Sequence, residues 1–251
     1  MRSAGGWLLL TVSAMLWAGP AQAQTADEVI EKHLAALGGR AALAKLTSEM
    51  ASGGIVISTQ GADIAGPLEA YSKPPNKSRA LMRLDLTAFG GPEMIIDQRC
   101  DGKTAFVSNS AQGDRDITGN QLQNMLNDRF PTPLLTYKDA GAKVELAGKD
   151  KVGTRDAYVL QFTPKTGSSS RQYFDAETYL LLRTVMSVDS PELGAAIEQT
   201  TTLSDYRDVD GVKVPFSIVV SSSVQTITIT LSKVTHNAPI DDAMFSRPAI
   251  K

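Results

Sequence analysis

Between Glu49 and Asn237 the chain repeats one signal: strand-length stretches in which apolar and polar residues alternate, divided by turn residues. Alternation with period two puts successive side chains on opposite faces of a pleated strand, so it commits a chain to sheet. MASGGIVISTQ, DIAGPLEAYSK, KSRALMRLDLTA, PEMIIDQRC and KTAFVSNS form a first group, with turn signals at Gln60-Gly61, Pro74-Pro75-Asn76, Gly90-Gly91-Pro92 and Asp101-Gly102. AKVELAGKDKV, RDAYVLQFTPK, SRQYFDAET, YLLLRTVMSV, AAIEQTTTLSDYRDV, VKVPFSIVVSS and VQTITITLSKVTHN form a second. Within them Ala80, Met82, Leu84 and Leu86 alternate with Leu81, Arg83, Asp85 and Thr87. Val212, Val214, Phe216, Ile218 and Val220 share a face, and Ile227, Ile229 and Leu231 do the same opposite Thr226, Thr228, Thr230 and Ser232. About a dozen strands follow from this reading, with no Pro/Gly/Ser-rich linker to divide them. A single antiparallel sheet curled into a barrel or half-barrel is more economical than two domains.

The stretch SDYRDVDGVKVPF tests whether an Asp-rich turn is a metal site. With Gly211 at the sixth position of an EF-hand loop, Asp208 and Asp210 fall on ligand positions, but Tyr206 stands at the first and Ser217 where the bidentate Glu belongs. Asp210-Gly211 instead suits the two central positions of a type I′ hairpin turn.

Two segments break the period. TADEVIEKHLAALGG reads as an amphipathic helix: Thr25 and Glu28 have capping-box spacing, Val29, Ile30, His33, Leu34 and Leu37 share a face, and Gly38 marks the stop. A short second helix follows through AALAKL. TGNQLQNMLNDRFPTPLLTY carries Leu122, Met125, Leu126 and Phe130 at helical spacing before Pro131 and Pro133, which fits a short helix or lid-like segment.

Residues 1-23 read as a signal peptide: Arg2, the apolar run WLLLTVSAMLWAG, and Ala21-Gln22-Ala23 as the cleavage pattern. The expected product, residues 24-251, is one exported domain without stable membrane insertion, located in the periplasm. The only cysteine, Cys100, lies far from the cleavage site, which excludes both an internal disulfide and a lipidated first residue. It reads as a strand-end residue.

Charge and chemistry exclude more than they suggest. With 25 basic and 27 acidic residues and no basic run, nucleic acid is not an expected partner. There is no Gly-x-Ser-x-Gly, His-Glu-x-x-His, Cys-x-x-Cys or phosphate-binding glycine loop. The two histidines, His33 and His236, stand at opposite ends of the chain. Asn76-Lys77-Ser78 matches a glycosylation sequon but follows two prolines and reads equally as a turn. No catalytic residue, metal or cofactor is expected.

The LAALGG helix end, YFDAETYLLLRT, SDYRDVDGVKVPF and the tail TITITLSKVTHNAPIDDAMFSRP resemble the outer-membrane lipoprotein-sorting family, the LolA-like and LolB-like proteins. The resemblance covers nearly all of the chain after residue 23. It implies a mainly β fold with a few helices: an incomplete barrel with helices on its concave side and an apolar cavity that shelters acyl chains between membranes. It implies lipid or an acylated lipoprotein as partner, envelope membrane proteins as further partners, and no enzymatic activity. The arginine that helps close the cavity in the carriers has no counterpart that aligns here; Arg79 and Arg83 match it in location only. An apolar cavity needs nothing further to hold a lipid, since each buried CH₂ gains about 0.8 kcal/mol. The expected lining is Leu84, Leu86, Met125, Leu126, Val214, Phe216, Ile218, Ile227, Ile229 and Leu231, although a filled core would produce the same pattern. A non-enzymatic envelope sensor or adaptor that binds a partner protein is the alternative, and an envelope-lipid hydrolase ranks third.

Overall fold

A computed structural model describes residues 24–59, 61–190 and 194–248. The signal sequence expected over 1-23 and Gln60 of the first turn signal lie outside the described residues. Thirteen strands form one antiparallel sheet: β1 (Glu49–Thr59), β2 (Ala62–Lys73), β3 (Lys77–Leu84), β4 (Met94–Cys100), β5 (Ala105–Asn109), β6 (Gly113–Ile117), β7 (Lys143–Val152), β8 (Arg155–Thr163), β9 (Ser170–Asp175), β10 (Leu181–Ser190), β11 (Ala195–Val209), β12 (Val212–Ser221) and β13 (Thr226–His236). Their order is β6-β5-β4-β3-β2-β1-β13-β12-β11-β10-β9-β8-β7. The sheet is curled but not closed: β6 and β7 are its two edges.

Consecutive strands pair throughout, with one exception that sets the architecture. The first strand β1 pairs with both β2 and the last strand β13, which joins the two meanders into one sheet. The chain leaves one edge at β6 and returns at the opposite edge at β7. Residues 118–142 therefore carry it across the open side, through α3 (Gly119–Asn127) and a 3-10 turn at Pro133–Leu135.

Directly opposed residues of antiparallel strands share a face. Ile64, Ile57, Ile227, Val220 and Thr201 are successive partners across five strands, and Ile55, Ile229, Ile218 and Leu203 form a parallel row across four. Through Thr184 and Gln172 the first row reaches Leu160 of β8, so this is the face on which the first helix packs. The helix α1 (Ala26–Ala36) has the expected capping box between Thr25 and Glu28. It buries Val29, Ile30, Leu34 and Leu37 against Leu160, Phe162 and Phe174 of β8 and β9. A short α2 (Arg40–Leu43) adds Leu43 to the same cluster. Gly38 has φ +124°, and a Cβ there would lie 2.2 Å from the carbonyl oxygen of Gly211, so only glycine lets the helix end meet the β11–β12 turn.

That turn is the expected type I′ hairpin: Val209 pairs with Val212, and Asp210 and Gly211 have φ of 54° and 80°. The Gly211 amide donates to the Asp208 carboxylate at 3.0 Å, so the turn uses an acid that a calcium loop would need.

Two expectations are corrected. KSRALMRLDLTA does not remain extended to its end: β3 stops at Leu84, the Asp85 carboxylate accepts from the Thr87 amide at 2.8 Å, and the chain turns through a 3-10 segment at Thr87–Phe89. Strand β6, GDRDI, was not anticipated, because its polar residues are exposed and only Ile117 is buried.

Candidate functional site

The segment that crosses the open side builds the site. On one flank, Leu122, Met125 and Leu126 of α3 pack on Cys100, Ala105, Val107 and Ile117. The Asn76 side chain donates to the Leu126 carbonyl at 2.9 Å, so this partner of the sequon pattern is buried and engaged. The other flank is polar. Asn124 accepts from the Ser168 amide at 2.8 Å and donates to the Ser168 hydroxyl at 3.3 Å. Asn127 donates to the Thr166 carbonyl at 2.6 Å, and the Thr166 hydroxyl donates to Gln123 at 2.7 Å. One wing of the sheet thus holds α3 by packing and the other by hydrogen bonds to the β8–β9 loop.

Beneath and beside α3 lies a cavity of about 680 Å³. Its apolar walls come from Met125 of α3, Met186 and Val188 of β10, Ile197 of β11 and Val224 of the β12–β13 turn. Carboxamides from Gln112, Gln121, Asn124, Gln199 and Gln225 alternate with them, and Arg115, Asp128 and Asp189 supply charge. Such a mixture of apolar wall and convergent polar groups suits an amphiphile. The Arg115 guanidinium donates to the Gln121 side chain at 3.3 Å. Asp128, at the C-terminal cap of α3, is exposed at the cavity wall.

The expected lining residues divide between this cavity and the packed sheet face. Met125 lines the cavity, and Leu126 belongs to the cluster beneath α3. Leu84 is fully buried against Ile55 and Leu68, with Ile227 and Ile229 at the margin of that cluster. Val214, Phe216 and Leu231 are buried together with Ala51. Ile218 is half-buried and pairs with Ile229. Leu86 lies beyond the end of β3, beside Gly91. Sequence reasoning missed Met186, Val188 and Ile197. These fall on the concave side only by pairing register, Met186 opposite Gln199 and Val188 opposite Ile197. The segment YLLLRTVMSV carries apolar residues on both faces, a signal for Met186 and Val188 but not for Ile197.

The other marked residues are structural. His33 is buried on α1 against Phe174, and Cys100 is buried at the end of β4. Arg79 of β3 is held by Asp97 at 2.8 Å, and Arg83 lies 3.8 Å from Glu93. Among the described residues no group of three or more His, Cys, Asp or Glu side chains is placed to hold a metal ion, and no helix is long and apolar enough to cross a membrane. Phe89 is an exposed large apolar side chain, and one such residue needs no functional account.

No protein-family model matches the sequence, and no curated protein matches it. Solved structures do. A LolA superfamily protein from Nitrosomonas europaea aligns over 90% of this chain and 99% of its own, with 14% identity and a TM-score of 0.57. A DUF1329 family protein from Desulfovibrio piger aligns over 88% and 97%, with 15% identity and a TM-score of 0.57. A putative outer membrane lipoprotein-sorting protein domain from Vibrio parahaemolyticus aligns over 87% and 94%, with 11% identity and a TM-score of 0.56. The chain has the LolA-like fold, as its helix end, hairpin and tail implied.

Proposed function

We propose that this protein is a periplasmic, non-enzymatic carrier that holds lipid or the acyl chains of a lipoprotein against the concave face of its sheet. The observation that carries the reading is the cavity under α3, which continues the apolar rows of the sheet and opens beside a helix held on one flank by side-chain hydrogen bonds. The LolA-like fold supports it. A lipid tail needs only apolar surface, and Met125, Met186, Val188, Ile197 and Val224 provide a wall that two methionines can adapt to varied chains.

Native mass spectrometry of protein purified gently from the cell envelope, followed by solvent extraction, tests the reading. A stoichiometric acylated species is the expected result, and Ile197→Asp should remove it from a protein that still folds. A clean unliganded mass that takes up neither added phospholipid nor acylated peptide would overturn it. Phe216→Asp, within a buried cluster, should unfold the protein rather than empty it.

A further inference from the structure

The charges in the cavity specify more than an acyl chain. Asp128 has no side-chain hydrogen bond or ion pair among the described residues, and Arg115 has only the neutral Gln121. Among the described residues, Asp128 and Arg115 thus share one cavity without meeting each other or another opposite charge. Helix α3 spaces the residue that holds Arg115 from Asp128. Arg115 is held at Gln121 in the first turns of α3, and Asp128 caps its C-terminus two turns later, a rise of roughly 10 Å. That interval leaves room for a small group bearing both charges, with a hydrogen-bonded contact at each end. The carboxamides of Gln112, Gln199 and Gln225 add neutral donors and acceptors between apolar walls.

We propose that the cavity selects a zwitterionic amphiphile of the phosphoethanolamine type, its ammonium against Asp128, its phosphate toward Arg115 and its acyl chain along Met125, Met186 and Ile197. The proposal rests on the carrier reading and adds the head group to it. An ammonium gives the Asp128 carboxylate the charged partner it lacks, and charge-assisted hydrogen bonds of this kind are stronger than neutral ones. A purely anionic head would place negative charge beside two acids, Asp128 and Asp189. A head without charge would leave both Asp128 and Arg115 unmatched.

Isothermal titration of the purified protein with chain-matched lauroyl lipids below their micelle concentrations tests this. The probes are lysophosphatidylethanolamine, lysophosphatidylglycerol and monolaurin. The expected result is at least tenfold tighter binding of the ethanolamine lipid than of either other probe. In Asp128→Asn the preference over the glycerol lipid should fall to about one, and Arg115→Gln should weaken the ethanolamine lipid about tenfold. Both residues are exposed, so both variants should fold, and circular dichroism checks that they do. Equal binding of all three lipids, or a preference that survives Asp128→Asn, would overturn head-group selection and leave the carrier reading standing. Failure of all three to bind would overturn both.

Discussion

The ring of His33 donates from Nδ1 to the backbone carbonyl of Tyr179 at 2.8 Å, tying α1 to the β9–β10 turn. Tyr179 holds φ 58°, a left-handed conformation that a bulky residue adopts at a cost, so the turn depends on such contacts. The His33 ring also meets Phe174 edge-on with centroids 4.8 Å apart. Burial here opposes a charged ring and lowers its pKa from 6.5 to about 4, against the raising effect of the Tyr179 hydrogen bond. The unfolded chain thus binds a proton that the folded chain refuses. Stability should fall as pH drops from 6.5 toward 4, by about 3 kcal/mol from this group. Urea unfolding at pH 7 and pH 4.5 measures the loss, and in His33→Gln the loss from this group should disappear.

His236 should act in the opposite sense. It is buried at the end of β13, with Nε2 3.2 Å from the Glu49 carboxylate and Nδ1 3.5 Å from that of Asp210. The hydrogen bond to Glu49 raises its pKa against desolvation, with Asp210 and the Val209 carbonyl acting in the same direction. Its folded pKa lies above the ordinary 6.5, so its stabilising contribution is complete below 6.5 and is lost as pH rises through the folded value. Glu49→Gln should therefore cost more stability at pH 6 than at pH 9. Equal costs at both would show that the pair is not ionic.

The polar hold on α3 should be the weaker of its two attachments. Asn124→Ala removes both hydrogen bonds to Ser168, and each such bond contributes about 1 kcal/mol net. Global stability should fall by about 1 to 2 kcal/mol. Amide hydrogen exchange over 119–127 should rise more than exchange in β1 or β13, because the loss is local.

Phe174 carries the packing between α1 and the second meander. It is fully buried and touches both His33 and the core around Leu34 and Leu160. Phe174→Ala should cost about 3 to 5 kcal/mol, measured by chemical denaturation.

The strands were legible where one face is apolar and the other wet, as in β12 and β13. The ends of α1 were legible because its capping box and Gly38 have local chemistry. β6 was not, since its Asp-Arg-Asp centre has no buried side chain to set a period. The cavity was read only through Met125. Its other walls are brought together by the pairing of β10 with β11 and by the chain crossing from β6 to β7. Neither long-range relationship leaves a mark in local spacing. Buried Val214, Phe216 and Leu231 carry the same alternation as an exposed lining would, so the pattern could not distinguish packed face from open wall.

The last strand in sequence is the keystone of the sheet. β13 sits between β1 and β12, and every strand of the first meander joins the second through it. During synthesis the N-terminal and C-terminal halves can each zip up hairpin by hairpin, but they remain two separate pleated pieces until residue 236 is available. A message cut short before Thr226 would yield a product with two raw strand borders, at β1 and β12, each with hydrogen-bonding groups and isoleucines or valines facing outward. Such a product would favour self-association over folding, so a cell that makes this protein has reason to keep the nascent chain shielded until β13 has arrived.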